Sequence, residues 1–368
     1  MKLIQIQRDN LLKPLQAVTG IVERRHTLPI LSNVLIERKQ DQLLLMATDL
    51  EIQISTTGQA GQKGEDYAVT VSAKKLQDIL RSLPEETEVT LDAQDSRLQV
   101  KAGKSRFNLQ TLPAEDFPKL AEAKDVSCTV RLPQKALKKL LLLVQYAMAQ
   151  QDIRYYLNGM LLVVESNALK VVSTDGHRLA FAALAIDQGQ RNQEVILPRK
   201  AVLELSKLLA DSDDEVTVEV AQNQARFAFS NIMLVTKVVD GKFPDYTRVI
   251  PTNYNNHFSI DRLRLLQSLQ RAAILSNEKF RGVRLVLTEN NLRIVSSNTE
   301  QEEAQEELEI EYAGAALDIG FNITYLLEIL NNVDSEKVDC AFGDANSSAL
   351  ITIPGNSEFR YVVMPMRI

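Results

Sequence analysis

The sequence predicts an α+β protein of three similar domains, each made of two helix-plus-antiparallel-strand units. Three observations predict it. Short segments in three places superimpose without gaps, a second set of landmarks recurs at the same interval, and within each interval amphipathic helical stretches alternate with strand-like runs.

The first register runs from Ser32-Asn33-Val34-Leu35 through Leu43 to Thr48-Asp49. It returns from Asn158-Gly159-Met160-Leu161 through Leu169 to Thr174-Asp175, and again from Arg281-Gly282-Val283-Arg284 through Leu292 to Ser297-Asn298. Fifteen residues separate Asn33 from Thr48, Gly159 from Thr174 and Gly282 from Ser297. The second register places helix starts at Ser72, Pro198 and Asn322, which are 126 and 124 residues apart, and repeats Phe117-Pro118 as Phe243-Pro244 after 126 residues. Two agreeing registers argue against chance resemblance among β-rich segments. The domains are expected at residues 1–125, 126–254 and 255–368.

Within each repeat an amphipathic helix comes first, at residues 8–13, 133–146 and 260–273. Strand-like alternation follows, as at 161–165, 169–173 and 179–185. A second helix then opens at Ser72, Pro198 or Asn322. Serine and asparagine suit an N-cap, and proline suits a first turn. Further strands, such as 215–220 and 225–229, close the unit.

At 368 residues the chain has room for two or three domains, and 45% hydrophobic with 24% charged residues is ordinary for a globular protein. Cys128 and Cys340 are too few for a disulfide framework and read as small buried residues in a reducing cytosol. No Cys/His spacing suggests a metal, and no cofactor is implied. The N-terminal stretch turns polar too early for a secretory signal, and the apolar run 140–144 is too short to span a bilayer. A cytoplasmic protein without a membrane partner is expected.

The net charge of −6 argues at first against nucleic acid as a partner. Its distribution argues the other way. The six expected helices carry fourteen basic and five acidic residues, a balance of +9, which leaves −15 for the rest of the chain. Leu137, Leu140, Leu141 and Val144 form one stripe of the third helix, with Lys135, Lys138 and Lys139 opposite. Lys200 stands on the fourth helix, and Arg264 and Arg271 share a face of the fifth. On any one helix such a face is usually just solvated; the same bias on five of six suits a positive inner surface that holds phosphates weakly and without sequence preference.

The strings YYLNGM (155–160), TDGHRLA (174–180), KFPDY (242–246), RAAILSNEKFRGVRL (271–285) and YVVMPMRI (361–368) resemble the bacterial DNA polymerase III beta subunit, the beta sliding clamp, and the similarity runs over the whole chain. The resemblance implies a DNA clamp fold that closes as a head-to-tail homodimeric ring, with helices lining the pore and sheets outside. It implies a processivity factor, not an enzyme, that encircles double-stranded DNA. A clamp loader would open the ring with its own ATP. The replicative polymerase, other polymerases and repair proteins would dock through a short peptide carrying Gln and Leu/Phe anchors.

The family's peptide pocket maps to Leu157, Thr174, Gly176, His177, Arg178, Leu179, Pro244, Arg248, Val249, Asn322, Tyr325, Ser348, Val362, Met364, Pro365 and Met366. Its DNA contacts map to Arg25, Lys74, Gln151, Tyr155 and Tyr156. The ring interface maps to Phe107 and Leu109 of one chain against Ile274 and Leu275 of another, where solitary monomers would rarely expose such residues together. Lys75, Arg97, Lys104 and Arg106 would face Glu302, Glu303 and Glu306. The sequence departs from the family at His26, where proline is usual, at Gln305, where an acid is usual, and at Asn346, where an apolar wall is usual.

Asp175-Gly176-His177-Arg178 is the string most easily mistaken for catalysis, with His177 as base and Asp175 as its orienter. Asp-Gly is first a turn signal, and no nucleophile elbow, Walker loop or HExxH accompanies it. It reads as a turn that also walls the peptide pocket, so no catalytic residue is assigned. Two other classes compete: a non-ring β-rich adaptor, which would not need the helix charge, and a metal-dependent enzyme on DNA ends, which would need clustered carboxylates.

Overall fold

The computed structural model describes residues 2–23, 28–61, 63–94, 96–123, 125–186 and 192–368. The first repeat runs β1 (Lys2–Gln7), α1 (Arg8–Thr19), β2 (Asn33–Lys39), β3 (Gln42–Thr48), β4 (Ile52–Gln59), β5 (Tyr67–Ser72), α2 (Ala73–Ser82), β6 (Glu88–Gln94), β7 (Arg97–Ala102) and β8 (Ser105–Leu112). The second runs β9 (Val126–Pro133), α3 (Gln134–Val144), β10 (Gly159–Val164), β11 (Ala168–Thr174), β12 (Arg178–Ala185), β13 (Gln193–Pro198), α4 (Arg199–Leu208), β14 (Glu215–Ala221), β15 (Gln224–Phe229) and β16 (Ile232–Lys237). The third runs β17 (Asn256–Asp261), α5 (Arg262–Ala273), β18 (Gly282–Thr288), β19 (Asn291–Ser297), β20 (Glu303–Glu309), β21 (Leu317–Asn322), α6 (Ile323–Asn332), β22 (Lys337–Phe342), β23 (Ala349–Ile353) and β24 (Asn356–Val363).

Each repeat is therefore the unit β-α-β-β-β written twice. The strand ahead of each helix is absent from the sequence reading, because it runs straight into the helix and its last residue serves as the cap. Ser72 accepts from Lys75 N at 3.4 Å, Asp261 from Arg264 N at 2.7 Å and Asn322 from Thr324 N at 2.9 Å, each satisfying an amide that the helix leaves orphaned. Helix α1 also runs past the expected stop at 13, with Pro14 inside it. Buried Leu11, Leu12, Leu15 and Val18 keep helical spacing across the proline, and their burial outweighs the missing amide.

Two compact units arise: residues 1–138 with 200–238, and residues 139–199 with 239–368. In the first, twelve antiparallel strands follow the order β1-β6-β7-β8-β5-β2-β3-β4-β16-β15-β14-β9. In the second, an eight-stranded sheet follows β13-β10-β11-β12-β24-β23-β22-β17, beside a four-stranded sheet β20-β19-β18-β21. Sheets thus cross the sequence repeats. β4 of the first repeat pairs with β16 of the second, Gln53 opposite Val235. β12 of the second pairs with β24 of the third, Leu179 opposite Val362. Both cysteines are buried and unpaired; burial raises both thiol pKa values, that of Cys340 to about 12. No described helix is long and apolar enough to cross a membrane.

Candidate functional site

The Thr-Asp landmark of the repeat is a turn whose side chains close it. Thr174 Oγ1 donates to the Arg178 carbonyl at 2.6 Å and accepts from Gly176 N at 3.1 Å. Asp175 Oδ1 accepts from the amides of His177 and Arg178 at 2.9 and 3.0 Å. Gly176 holds φ at +90°, which glycine adopts without strain. Thr48 and Asp49 build the same turn in the first repeat, with Leu50 at φ +76°. The Asp175–His177 pair is thus engaged through the backbone. Among the described residues no group of three or more His, Cys, Asp or Glu could hold a metal ion.

Where Ile52 follows the first turn, the second repeat has Arg178, and its guanidinium goes inside. It meets Asp175 Oδ2 at 3.1 Å, the Tyr146 carbonyl at 2.7 Å, the Glu328 carboxylate, and the Tyr325 ring at 4.4 Å. Burial opposes its charge, but Tyr361 and Glu328 outweigh burial and raise its pKa above the ordinary value. A buried cation so surrounded stays charged and fixes the strand end.

In front of this base lies a cavity of about 280 Å³. Ten of the expected pocket residues line it: Leu157, Thr174, Gly176, Arg178, Leu179, Pro244, Val249, Ser348, Val362 and Met364. Six stand around it. His177 contributes a carbonyl that accepts from Met364 N at 2.9 Å, and Met366 N reaches the Gly320 carbonyl at 2.9 Å, so Pro365 spans between two anchored residues. Asn322 caps α6, Tyr325 lies under Arg178, and Arg248 pairs outward with Asp245 at 2.9 Å. Phe243, Tyr246, Arg154 and Tyr156 also line the cavity. Phe243-Pro244 was visible as a repeat landmark, whereas Arg154 gave no signal. Arg154 clasps Asp152 at 2.9 Å and holds its carboxyl down at about 2. Asn346 is tied to Asp344 in a turn and is not among the lining residues.

The six observed helices carry fourteen basic and four acidic residues, a balance of +10, since Asp261 caps α5 from outside. Lys74 and Arg264 are exposed. Lys135 pairs with Asp213 at 2.7 Å and Lys139 with Asp334 at 3.5 Å, while Lys138 has no ion pair among the described residues. Lys200 is placed differently from the expectation: its ammonium is shared by Asp49 at 2.6 Å, Glu23 at 3.0 Å and the Ile21 carbonyl at 2.9 Å. Tyr155 is exposed and meets Tyr156 edge-on at 5.8 Å, and Gln151 is exposed at φ +57°. Arg25 and His26 lie outside the described residues.

Of the expected interface residues, Ile274 is 77% exposed, with Leu275 and Phe107 half-buried. Phe280, at 59%, joins them unforeseen. Leu109 departs from the expectation. It is only 8% exposed because it faces inward opposite Leu98. Lys75, Arg97, Lys104, Arg106, Glu302 and Glu303 are exposed. Glu306 is already paired, accepting from Arg271 at 2.9 and 2.6 Å, which lowers its pKa. Gln305 is exposed on the same strand.

Three family profiles match in series: the DNA polymerase III beta subunit N-terminal domain at residues 1–121, the central domain at 131–245 and the C-terminal domain at 247–367. The chain is 48% identical to the beta sliding clamp of Pseudomonas putida over 365 residues and 45% identical to that of Escherichia coli K12 over 364, covering 99% of both chains in each case. Its structure resembles the crystal structure of the Pseudomonas aeruginosa DNA polymerase III subunit beta with a TM-score of 0.96 at 47% identity over the full length of both. It resembles the Caulobacter crescentus beta sliding clamp with a TM-score of 0.93 at 36% identity over 99% of each.

Proposed function

The chain belongs to the DNA polymerase III beta subunit family, the beta sliding clamps, and on that footing we propose that it encircles duplex DNA and tethers the replicative polymerase and other DNA-processing proteins to it. One observation carries the ring. In two places a strand of one repeat pairs with the last strand of the next, β4 with β16 and β12 with β24. The third repeat offers β20, which ends its sheet, and the first offers β8, which meets β5 only at Thr111 and Leu112. A second copy completes the series, β20 of each chain on β8 of the other.

The repeat also supplies the register. Glu303 stands opposite Ser297 as Gln53 does opposite Thr48, and Asn108 follows its hairpin turn as Val235 does. Glu303 would then oppose Asn108, and Gln305 would oppose Arg106. Ile274, Leu275 and Phe280 close over Phe107. Rim ion pairs from Lys75, Arg97 and Lys104 to Glu302 and Glu303 are worth only about 0–1 kcal/mol each. The three domains are proposed at 1–125, 126–254 and 255–368.

In this reading Lys74, Lys138 and Arg264, with Arg25, Gln151, Tyr155 and Tyr156, touch phosphates loosely. Lys135 and Lys139 join them on release from their exposed partners, and Lys200 chiefly holds α4 in place. Partner proteins dock a Gln- and Leu/Phe-bearing peptide in the cavity between Leu179, Val362 and Met364. No catalytic group or cofactor enters, and action on bacterial DNA puts the protein in the cytoplasm. A non-ring adaptor would leave both open strand edges and the helix charge without a role.

The test is retention on circular plasmid, loaded with clamp loader and ATP. The protein stays on the circle and runs off after one cut. Equal retention on linear DNA refutes the ring.

A further inference from the structure

The peptide cavity has a counterpart one repeat earlier. Shifted by 126 residues, Leu179, Phe181 and Tyr246 become Gln53, Ser55 and Leu120. These residues line a separate cavity of about 470 Å³. The substitutions fit the difference: Phe181, which stacks on the lining residue Tyr246, gives way to the small Ser55, and Leu179 to the similarly sized but polar Gln53, so the space is larger and its wall polar. Its floor stays apolar, with Met46, Met233 and Val235.

The polar wall has unfilled valences. Gln53 Oε1 accepts from Leu120 N at 2.8 Å, which fixes that amide's orientation and leaves Nε2 as a donor. Gln224 Nε2 donates to the Ala121 carbonyl at 3.2 Å and leaves Oε1 as an acceptor. Neither remaining atom, nor the Ser55 hydroxyl, has a hydrogen-bond partner among the described residues, although the three side chains belong to residues only 8–9% exposed. None of the three is a fully buried atom left unpaired; they belong to residues that line the cavity, where water meets them and a ligand can replace it. One donor and one acceptor match a single amide group. Arg226 pairs with Glu219 at 2.7 Å and Lys119 with Glu37 at 3.4 Å, which leaves exposed Glu122 as the lining charge without an ion pair among the described residues. An anionic ligand gains nothing here.

We propose that this cavity is a second peptide-binding cleft, which takes a short neutral segment by one backbone amide and seats an aliphatic side chain on Met46, Met233 and Val235. The choice of a peptide rests on the reading of the first cavity as a peptide pocket; the free donor and acceptor do not.

The methionine methyls make both sites observable in the intact protein. With 13C-methyl methionine, acetyl-Gly-Leu-Gly-amide should shift Met46 and Met233 saturably at millimolar concentration. A Gln-Leu-Phe pentapeptide should shift Met364 and Met366. Gln53→Leu and Gln224→Leu should each weaken the tripeptide at least tenfold. Ser55→Ala, which breaks no bond of the folded chain, should weaken it two- to threefold and stands in if the glutamine variants misfold. Static Met46 and Met233 methyls overturn the proposal, as do shifts that survive all three substitutions. If Met46 and Met233 respond while Met364 and Met366 ignore the pentapeptide, the first cavity has been misread and the second cleft stands.

Discussion

The guanidinium of Arg178 lies 4.4 Å from the centre of the Tyr325 ring, at the point where β12 of the second repeat meets α6 of the third. It also bonds Asp175, Glu328 and the Tyr146 carbonyl, so one side chain ties its own turn, α6 and the segment at Tyr146 behind the peptide cavity.

Arg178→Met should therefore cost about 1–3 kcal/mol in urea unfolding, since it leaves buried acceptors unpaired. Lysine should not restore the loss, because one ammonium cannot replace a planar fork that also stacks. Unchanged stability would mean that the ties are idle.

Glu306 gives a pH signature. Its folded pKa lies below the ordinary 4.5 because Arg271 holds the carboxylate. A depressed carboxylate stabilises above its unfolded pKa, and the contribution is lost as pH falls through the lower folded value. Arg271 is half exposed, so Glu306→Gln should cost less than about 1 kcal/mol at pH 7. The gap between wild type and variant should narrow as pH falls below 4.5 in parallel thermal melts.

On α3, Lys135 and Lys139 each face an aspartate, whereas Lys138 has no ion pair among the described residues. Lys138→Glu alone should then account for most of the loading defect of a triple Glu substitution. Each phosphate left without its lysine should reduce the slope of log affinity against log salt by about 0.9. Loading at moderate salt equal to wild type counts against a DNA-lined pore.

At the proposed seam, Ile274→Ala with Leu275→Ala removes apolar methylenes worth about 0.8 kcal/mol each when buried. Sedimentation should show a folded monomer at micromolar concentration. Leu109 is a poor choice for this test, because its burial within one chain makes any substitution a stability variant.

For the peptide cavity, deleting 363–368 would remove Val363, which pairs with Arg178 and is fully buried. Met364→Ala is the cleaner variant. It should weaken a labelled Gln-Leu-Phe peptide at least tenfold in fluorescence anisotropy while native mass stays dimeric. Equal affinity would place the peptide elsewhere.

The repeat, the helix starts at Ser72 and Asn322 and the basic helices were legible, because caps, periodicity and charge are local. The fusion of β4 with β16 was not, since strand pairing across about 180 residues leaves no local mark. Nor was the placement of Arg178. An arginine after a turn reads as exposed, and only the acids and carbonyl brought by distant segments make its burial tolerable. Lys200 misled in the opposite direction: on α4 it looks free, yet Asp49 and Glu23 from the first repeat claim it.

The second repeat lends β9 and β14–β16 to one large sheet and β10–β13 to the other. It consequently has no sheet of its own to keep. Cut out as an isolated fragment, it should remain largely unfolded, though its sequence is as regular as its neighbours'. Heat absorption by the whole chain should resolve into two cooperative blocks rather than three. The pieces expected to melt as units are the two blocks that the shared sheets build, and the sequence repeat sets only the spacing.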